Sequence, residues 1–320
     1  MPGRWFLTGF QDWACKESYH LVVTTDAPCH LWLRYSPNPP QKHPRTRVFR
    51  GLNIEGDVYY CFTSYIGVEQ NEAGDTLTHS FDVSPWIANL VRYFYLYGTV
   101  AGDFSPSQSP IFGRQIIVDT KYYLTQVSHA YDEVNRFSGG TRSCPANCPE
   151  FIGVGRWQSP AHKEGGAFQF RDCQLPYCAE ILNSYLEFQP YENNGNMPVH
   201  SQISLEPAFS PDDWYGADTE EVFTRWNTRV ATVDWDDMRG WNPIRTYFSP
   251  DIKATIQALV NLPGWSPGRK ASLFWDDFEQ RTPWYALRNR RAVSFTTNSL
   301  EAPKLHVHYN HWQVKEKGIF

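Results

Sequence analysis

The sequence is poor in several features that would assign it to a familiar functional class. No apolar run approaches the length of about 18 residues that a membrane-spanning helix needs. Charged residues make up only 20% of the chain and the net charge is −5, so the basic face of a nucleic-acid-binding protein is not expected. Methionine is rare, with 3 residues against 23 prolines and 21 glycines, which disfavours a helical bundle. The composition favours many short strands joined by turns, with neither a membrane nor a nucleic acid as partner.

Motifs of the common catalytic classes are also missing, because the chain contains no HExxH, GxSxG, GxxxxGK[ST] or GxGxxG. Four adjacent acidic pairs occur: Asp212 with Asp213, Glu220 with Glu221, Asp236 with Asp237, and Asp276 with Asp277. Neighbouring residues on a strand point to opposite faces, so no pair alone supplies the two carboxyls across a cleft that glycoside hydrolysis needs. We expect these acids on a solvated surface and a protein that is not an enzyme.

Aromatic residues are abundant, with 13 Trp, 18 Tyr and 20 Phe. Some fall within apolar patterns and are predicted to be core: Trp32, Trp235, Trp265 and Trp275. Others lie in polar, turn-rich stretches and are candidates for contact with a partner or a glycan: Trp214, Tyr215, Trp241 and Trp284. Exposed rings stack on sugars and anchor interfaces, and the alternative for these four is the packing of long loops.

The first third of the chain alternates apolar and polar residues in short segments. These predict strands at 20–25, 29–35, 58–65, 76–81, 90–97 and 105–112. Strands at this spacing are typical of a β-sandwich, which we expect over residues 1–118 together with an N-terminal extension. The following residues, 119–165, are rich in Gly, Ser, Pro and Cys and are expected to form a loop-rich connection and the start of a second domain.

Three segments of this first part carry a family resemblance. Tyr93-Phe-Tyr-Leu-Tyr-Gly-Thr-Val and Gly102-Asp-Phe-Ser-Pro-Ser-Gln-Ser are similar to the closing hairpin of a fibronectin type III module. Leu31-Trp-Leu-Arg-Tyr-Ser-Pro resembles the second strand of that family, with its core Trp. The resemblance implies a fibronectin III or immunoglobulin-like sandwich.

The second half is predicted as a further strand-rich domain over residues 166–320. Alternating segments predict strands at 168–171, 175–188, 199–205, 229–235, 271–275, 292–296 and 304–309. One short helix is expected after Ser249, a suitable N-cap, with Pro250 in its first turn. Apolar residues then recur at helical spacing as far as Val260. The whole chain is therefore predicted to be all-β, with two β-sandwich domains.

Six motifs are spread over this second half: Phe168-x-Phe-Arg, Ala179-x-Ile-x-x-x-Tyr-Leu-x-Phe, Thr228-x-x-Ala-Thr-Val-x-Trp, Ser249-Pro-Asp-Ile, Pro263-Gly-Trp-x-x-Gly and Ala302-Pro-Lys-Leu-His-Val. Together they resemble a group of jelly-roll modules of secreted, cell-surface and virion proteins, often described as carbohydrate-binding-like. The resemblance implies two packed sheets with one helix covering an end. The group shares a scaffold and no active site, so the resemblance implies a fold and not a function.

Seven cysteines are an odd number, and two pairs lie close in sequence: Cys144 with Cys148, and Cys173 with Cys178. We expect local disulfide bridges or one cross-linked cluster. A zinc site and buried thiols that act as small hydrophobic groups are the alternatives.

Metal sites have weak support in the sequence, and no cofactor is expected. A structural calcium ion could use oxygen ligands from Asp212, Asp213 and Asp218, although no EF-hand spacing is present. A histidine trio near the C-terminus has the most metal-like spacing: His306, His308 and His311. We interpret it as the polar outer face of a strand whose other side is apolar.

Sandwich modules of these two kinds are typical of extracellular proteins, yet the N-terminus has no secretory signal pattern. Virion proteins combine both features, because they are made in a host cytosol and released by lysis. We expect a non-enzymatic structural protein of a phage-like particle, such as a decoration, fibre or tail-surface component, at a virion or extracellular surface. The alternatives are a glycan-binding attachment module of a surface protein and, third, a glycan-active enzyme.

Assembly is expected to use apolar residues near both ends of the chain: Trp5, Phe6, Leu7, Phe10, Trp312, Ile319 and Phe320. Burying such side chains fully is worth about 1.5–3 kcal/mol each, and a neighbouring chain could supply the cover. The partners would be other copies of the protein or other virion proteins. The alternative is that both ends fold back on their own domains.

Overall fold

A computed structural model describes residues 7–15, 18–36, 41–43, 59–61, 70–71, 76–84, 88–100, 107–109, 112–137, 140–156, 164–193, 195–283 and 288–319. Within these ranges the chain is dominated by antiparallel strands, with two short α-helices. The predicted all-β class is confirmed, and the fold is sandwich-like. The chain divides into unit 1, residues 1–119 with 312–320, and unit 2, residues 120–311.

Unit 1 is built on one long central strand. Its strands are β1 (Leu7–Cys15), β2 (Ser18–Ser36), β3 (Gln41–His43), β4 (Tyr59–Cys61), β5 (Gln70–Asn71), β6 (Thr76–Val83), β7 (Val91–Val100), β8 (Ser107–Gln108) and the beginning of β9 (Phe112–Gln126). The first half of β2 pairs with β1 and β6, and its second half pairs with β7. In each half of β2 alternate residues enter the core, as period two requires: Tyr19, Leu21 and Val23, then Cys29, Leu31 and Leu33.

Unit 2 contains most of the remaining elements. Its strands are the end of β9, β10 (Glu133–Phe137), β11 (Gly140–Ser143), β12 (Phe151–Arg156), β13 (Gly165–Cys173), β14 (Glu180–Phe188), β15 (Val199–Leu205), β16 (Val230–Met238), β17 (Tyr247–Phe248), β18 (Arg269–Asp276), β19 (Arg288–Val293) and the larger part of β20 (Lys304–Ile319). Its helices are α1 (Thr219–Trp226), α2 (Lys253–Val260) and a 3-10 turn, Ala130–Asp132.

Two larger sheets and one strand pair make up unit 2. One sheet has the order β11-β10-β13-β18-β15-β16, and the other places β20 beside β9 and β14, with β17 beyond β14. The separate pair is β12 with β19. The main core takes alternate residues from several of these strands, among them Phe168, Phe170, Leu186, Phe188 and Trp275. The side chains between them on the same strands therefore point away from this core.

The chain between the two expected domains has more regular structure than its composition suggested. Residues 119–165 hold the end of β9 and all of β10, β11 and β12. Residues 312–319, the end of β20, belong to unit 1.

The predicted helix exists but begins later than its capping pattern indicated. Ser249 and Asp251 instead accept hydrogen bonds from the backbone of β14, at the N–H groups of Leu186 and Ser184. Asp251 also accepts from the N–H of Lys253, where α2 starts. A second helix, α1, was missed, although Asp218 is a regular N-cap that accepts from the Glu221 N–H at 2.9 Å.

Candidate functional site

Five ring side chains form a row across the outer face of one sheet in unit 2: Tyr122 on β9, His306 and His308 on β20, Tyr185 on β14 and Phe248 on β17. We call these residues the aromatic band. The ring centres lie 4.8 Å apart for Tyr122 and His308, 6.0 Å for Tyr122 and His306, 4.7 Å for His306 and Tyr185, and 5.4 Å for Tyr185 and Phe248. The band therefore crosses the strands and does not follow any one of them.

The core alternation explains why these rings face outward. Leu305 and Val307 of β20 enter the main core, so His306 and His308 point the other way. Tyr185 pairs in register with His306, which brings the two rings together in a nearly parallel stack. The two ends of the band are open to solvent, since Tyr122 and Phe248 are each 51% exposed. This surface does not serve the main core.

A chain of hydrogen bonds runs through the centre of the band. The hydroxyl of Tyr122 lies 2.5 Å from His306 Nδ1, and His306 Nε2 lies 2.8 Å from Glu187 Oε2. Lys304 Nζ donates to the other carboxylate oxygen of Glu187 at 2.7 Å. Burial of Glu187 acts to raise its pKa, but the hydrogen bonds from Lys304 and His306 outweigh this effect and the pKa is lowered. Glu187 is therefore ionised at neutral pH.

Further polar groups lie beside the band on the same strands. Asn310 donates to Glu180 Oε2 at 2.9 Å, and it accepts from the hydroxyl of Thr120 at 2.7 Å. The outer face thus combines aromatic rings with carboxylate, amide and hydroxyl groups. Rings offer flat apolar contact and the polar groups fix orientation, which is the combination that binding sites for polar ring compounds use.

Two of the predicted contact residues are buried, and that part of the prediction is wrong. Trp214 is fully buried, with the guanidinium of Arg225 3.3 Å from its ring centre. Trp241 is 2% exposed and stacks on Tyr247 and Trp275. Both lie in loops that pack on the sheets. Polar neighbours in the sequence therefore did not indicate that these side chains are exposed to solvent.

The other tryptophans and the remaining contact candidates have mixed outcomes. Trp235, Trp265 and Trp275 are buried as predicted, whereas Trp32 is only partly buried and stacks on Tyr97. Tyr215 is exposed and contacts the ring of Tyr131 edge-on at 4.9 Å; neither ring is a member of the aromatic band. Trp284 lies outside the described residues.

The apolar residues proposed for assembly are partly used within unit 1. Leu7, Phe10 and Trp312 pack against the core of this unit, and the ring of Phe10 lies 5.0 Å from that of Phe112. These side chains are partly buried within their own unit, and their docking on a neighbouring chain stays a prediction. Ile319 is 57% exposed. The other three candidates, Trp5, Phe6 and Phe320, lie outside the described residues.

One of the two expected cysteine bridges is formed. Cys144 and Cys148 are joined by a disulfide. No bond joins Cys173 to Cys178, which corrects the second pairing. Cys173 ends β13 with its side chain in the main core, where burial raises the pKa of the thiol to about 12, whereas Cys178 lies in the turn before β14.

Two of the three acids considered for a calcium site, Asp213 and Asp218, have other partners. Asp213 forms ion pairs with Lys270 and Arg171, and Asp218 caps α1. Asp212 is exposed and its carbonyl accepts from Gln169. Among the described residues no three His, Cys, Asp or Glu side chains converge in a way that could hold a metal ion. His306 and His308 lie on the side of β20 away from the main core, as predicted, and belong to the aromatic band. His306 is only 8% exposed, whereas His308 is partly exposed.

One acidic pair is buried, which corrects the expectation of a solvated surface. Asp276 accepts hydrogen bonds from Trp226 Nε1 and the Phe278 N–H, both at 3.0 Å, and burial raises its pKa to about 7. Asp277 is 1% exposed and accepts from the Arg281 and Thr282 N–H groups. These carboxyls hold a turn together.

Two more acids, Glu164 and Glu133, are buried, and no pattern in the sequence indicated their burial. Burial raises the pKa of Glu164 to about 7 and that of Glu133 to about 8. Glu164 lies 3.6 Å from Arg291 and 3.3 Å from the Asn289 amide. Both glutamates lie inside unit 2 and not on the face that carries the aromatic band.

The aromatic band itself was not predicted as a unit, because its members come from four distant segments. Only the alternation of His306 and His308 with apolar neighbours indicated an outer face. The chain matches no known protein-family model and no curated protein sequence. The two α-helices that the structure describes are eight residues each, too short to cross a membrane.

Proposed function

We propose that this protein is a non-enzymatic surface protein that binds glycans through the aromatic band of unit 2. The observation that carries the proposal is a row of rings, open to solvent at both ends, beside unburied hydrogen-bonding groups. Aromatic rings present large contact areas and lose little conformational entropy on binding, so they suit the apolar faces of sugar rings. Glu180, Asn310 and Thr120 can exchange hydrogen bonds with sugar hydroxyls.

The dimensions of the band favour a short oligosaccharide over a single sugar. Neighbouring strands lie about 4.8 Å apart, so the row from β9 to β17 spans roughly 14 Å. A chain of a few sugar rings lying across the strands would contact Tyr122 at one end and Phe248 at the other. The preformed Tyr185 and His306 stack between them would need little rearrangement.

Binding to an immobilised glycan panel tests the proposal, followed by titration calorimetry on the best ligand. Tyr122→Ala and Phe248→Ala should each weaken binding by about tenfold, the equivalent of about 1.4 kcal/mol. Phe209→Ala is the matched control, because Phe209 is similarly exposed at 43% and is not part of the band. Tyr215→Ala measures whether the other exposed candidate contributes.

Two results would contradict the proposal. Failure of the wild-type protein to bind any glycan in a broad panel would exclude it as a glycan-binding module. Equal losses from Phe209→Ala and Phe248→Ala would show that binding does not use the band.

The setting that we propose is the outer surface of a phage-like virion, with unit 1 as a fibronectin III-like sandwich and unit 2 as a carbohydrate-binding-like jelly roll. The support is the sandwich-like pairing of both units and the place of β1 at the end of its sheet among the described strands. A strand in that place can extend pairing into a neighbouring copy. Sedimentation velocity over a wide concentration range tests self-assembly, and a strictly monomeric protein would contradict a lattice-forming role.

A further inference from the structure

Tyr122 carries a single hydroxyl hydrogen, and His306 determines where that hydrogen points. Glu187 is an ionised carboxylate and can only accept hydrogen bonds. His306 Nε2, at 2.8 Å, must therefore carry a hydrogen. A neutral imidazole that is protonated at Nε2 has Nδ1 as an acceptor, so the Tyr122 hydroxyl donates to Nδ1.

This arrangement leaves Tyr122 with lone pairs only for a ligand. Desolvation, with smaller contributions from Tyr185 and Glu187, raises the pKa of the Tyr122 phenol, so the phenol keeps its hydrogen at neutral pH. That hydrogen is used by His306, and the exposed oxygen can then accept but not donate. A ligand group above Tyr122 must supply the hydrogen, as a sugar hydroxyl does and a carboxylate does not.

Protonation of His306 reverses the direction of this hydrogen bond. Both ring nitrogens of an imidazolium donate, so Nδ1–H would point at the Tyr122 oxygen and the hydroxyl hydrogen would turn outward. Tyr122 would then donate to a ligand, and the band would gain one positive charge. The remaining groups that face His306 are Glu187, Lys304, Tyr185 and Phe248, with His308 on the other side of Tyr122.

We propose that the hydrogen-bonded chain Tyr122–His306–Glu187 sets the glycan class that the aromatic band accepts. With neutral His306 the band takes neutral, hydroxyl-rich glycans. With protonated His306 it also accepts glycans that carry a carboxylate. The inference rests on the proposed function and makes Tyr122 a specificity-determining residue.

The test compares two immobilised probes, a neutral hexose oligosaccharide and the same oligosaccharide with one uronate unit. Affinities are measured at about pH 8 and about pH 5, which bracket the range over which imidazoles change charge. The ratio of neutral to uronate affinity should fall by about tenfold on acidification. At the higher pH the Tyr122 oxygen and the uronate carboxylate are both acceptors, and placing them against each other is costly. Tyr122→Phe keeps the ring and the charge of His306 but removes the oxygen, so its ratio should change clearly less with pH than that of the wild type.

Two further variants separate the effect of the hydrogen-bonded chain Tyr122–His306–Glu187 from other effects. Tyr215→Phe is the matched control for an exposed tyrosine outside the band, and it should behave as wild type. His308→Gln removes the other imidazole beside Tyr122. Its affinity for both probes is expected to fall, because His308 belongs to the band, but the change of its affinity ratio between the two pH values should match that of the wild type. A ratio that changes equally in wild type and Tyr122→Phe would overturn the proposal, and so would its loss in His308→Gln.

A readout that needs no ligand distinguishes this inference from the proposed function. Nitrogen-15 NMR of His306 should show the tautomer protonated at Nε2 at about pH 8, and Tyr122→Phe should shift the Nδ1 signal. The opposite tautomer would overturn the inference even if glycans bind. Absence of all glycan binding with the expected tautomer would overturn the proposed function, and the ligand class with it.

Discussion

Glu133 provides a direct test of how burial controls the stability of unit 2. This glutamate on β10 has no exposed surface, and its Oε2 accepts from the Phe295 N–H at 2.8 Å. Its Oε1 has no hydrogen-bond partner among the described residues. Burial raises the pKa from 4.5 to about 8, with a smaller contribution from the neighbouring charge of Asp132. The folded protein therefore keeps this carboxyl protonated at neutral pH.

The pKa shift makes stability depend on pH. The unfolded chain loses the Glu133 proton near pH 4.5, while the folded protein holds it until about pH 8. The stabilising effect is complete below the lower value and is lost as the pH rises through the upper one. A difference of about 3.5 units at about 1.4 kcal/mol each corresponds to a loss of about 5 kcal/mol. Much of this loss should fall between about pH 5 and about pH 8.

Glu133→Gln should remove this contribution with little change in shape. The amide oxygen can still accept from the Phe295 N–H, and the side chain no longer titrates. We expect similar stability of the variant and the wild type near pH 5, and a more stable variant above pH 8. Urea unfolding followed by tryptophan fluorescence across this range measures the difference.

Glu301→Gln is the matched control. Glu301 is exposed, so this substitution should leave the dependence of stability on pH unchanged. Asp276, with a pKa raised to about 7, also lowers the stability of the folded protein as the pH rises, and both variants retain this effect. Parallel loss of stability in Glu133→Gln and wild type between pH 5 and pH 8 would refute the reasoning. It would mean that Glu133 is ionised or hydrated in the folded protein.

Three further outcomes are expected. Trp241→Ala should cost about 3–5 kcal/mol in urea unfolding, because the ring is buried in an aromatic cluster, and a loss below about 1 kcal/mol would contradict that burial. Replacing Cys144 and Cys148 with Ser should lower stability by about 2 kcal/mol, as expected for opening a loop with a sequence separation of 4, and no change in the melting curve would argue against the bridge. Gly98→Ala should destabilise unit 1, because its Cβ would lie 2.0 Å from the His30 carbonyl oxygen; unaltered circular-dichroism melting would disprove that close approach.

Local patterns in the sequence were sufficient for the class of fold. Alternation placed Leu31 and Leu33 in the core of unit 1 and Leu305 and Val307 in that of unit 2, because side chains on a strand alternate whatever the strand pairs with. The helix before Val260 was also predicted, since its apolar spacing is local. The first residue of the helix was not predicted, because Asp251 accepts a hydrogen bond from the backbone of β14 and lies before the helix begins.

Burial of individual side chains depended on contacts that are distant in sequence. Trp214 and Trp241 stand among polar neighbours, yet each is covered by residues from other elements, Arg225 and Trp275 respectively. Asp276 looked like a surface acid and is enclosed by Trp226. The surroundings of such a residue depend on how sheets and loops pack, and this packing cannot be inferred from the residues next to it in the sequence.

The sequence by itself determined that this protein is all-β, which strand faces are apolar, and that His306 and His308 share an outward face. Only the tertiary structure decided that Tyr122, Tyr185 and Phe248 lie beside these histidines. The strands that carry them are joined by pairing between segments that are distant in sequence, such as Tyr185 with His306 and Glu187 with Phe248. The register of that pairing is a property of the folded sheet, and it is the reason why separate rings form one aromatic band.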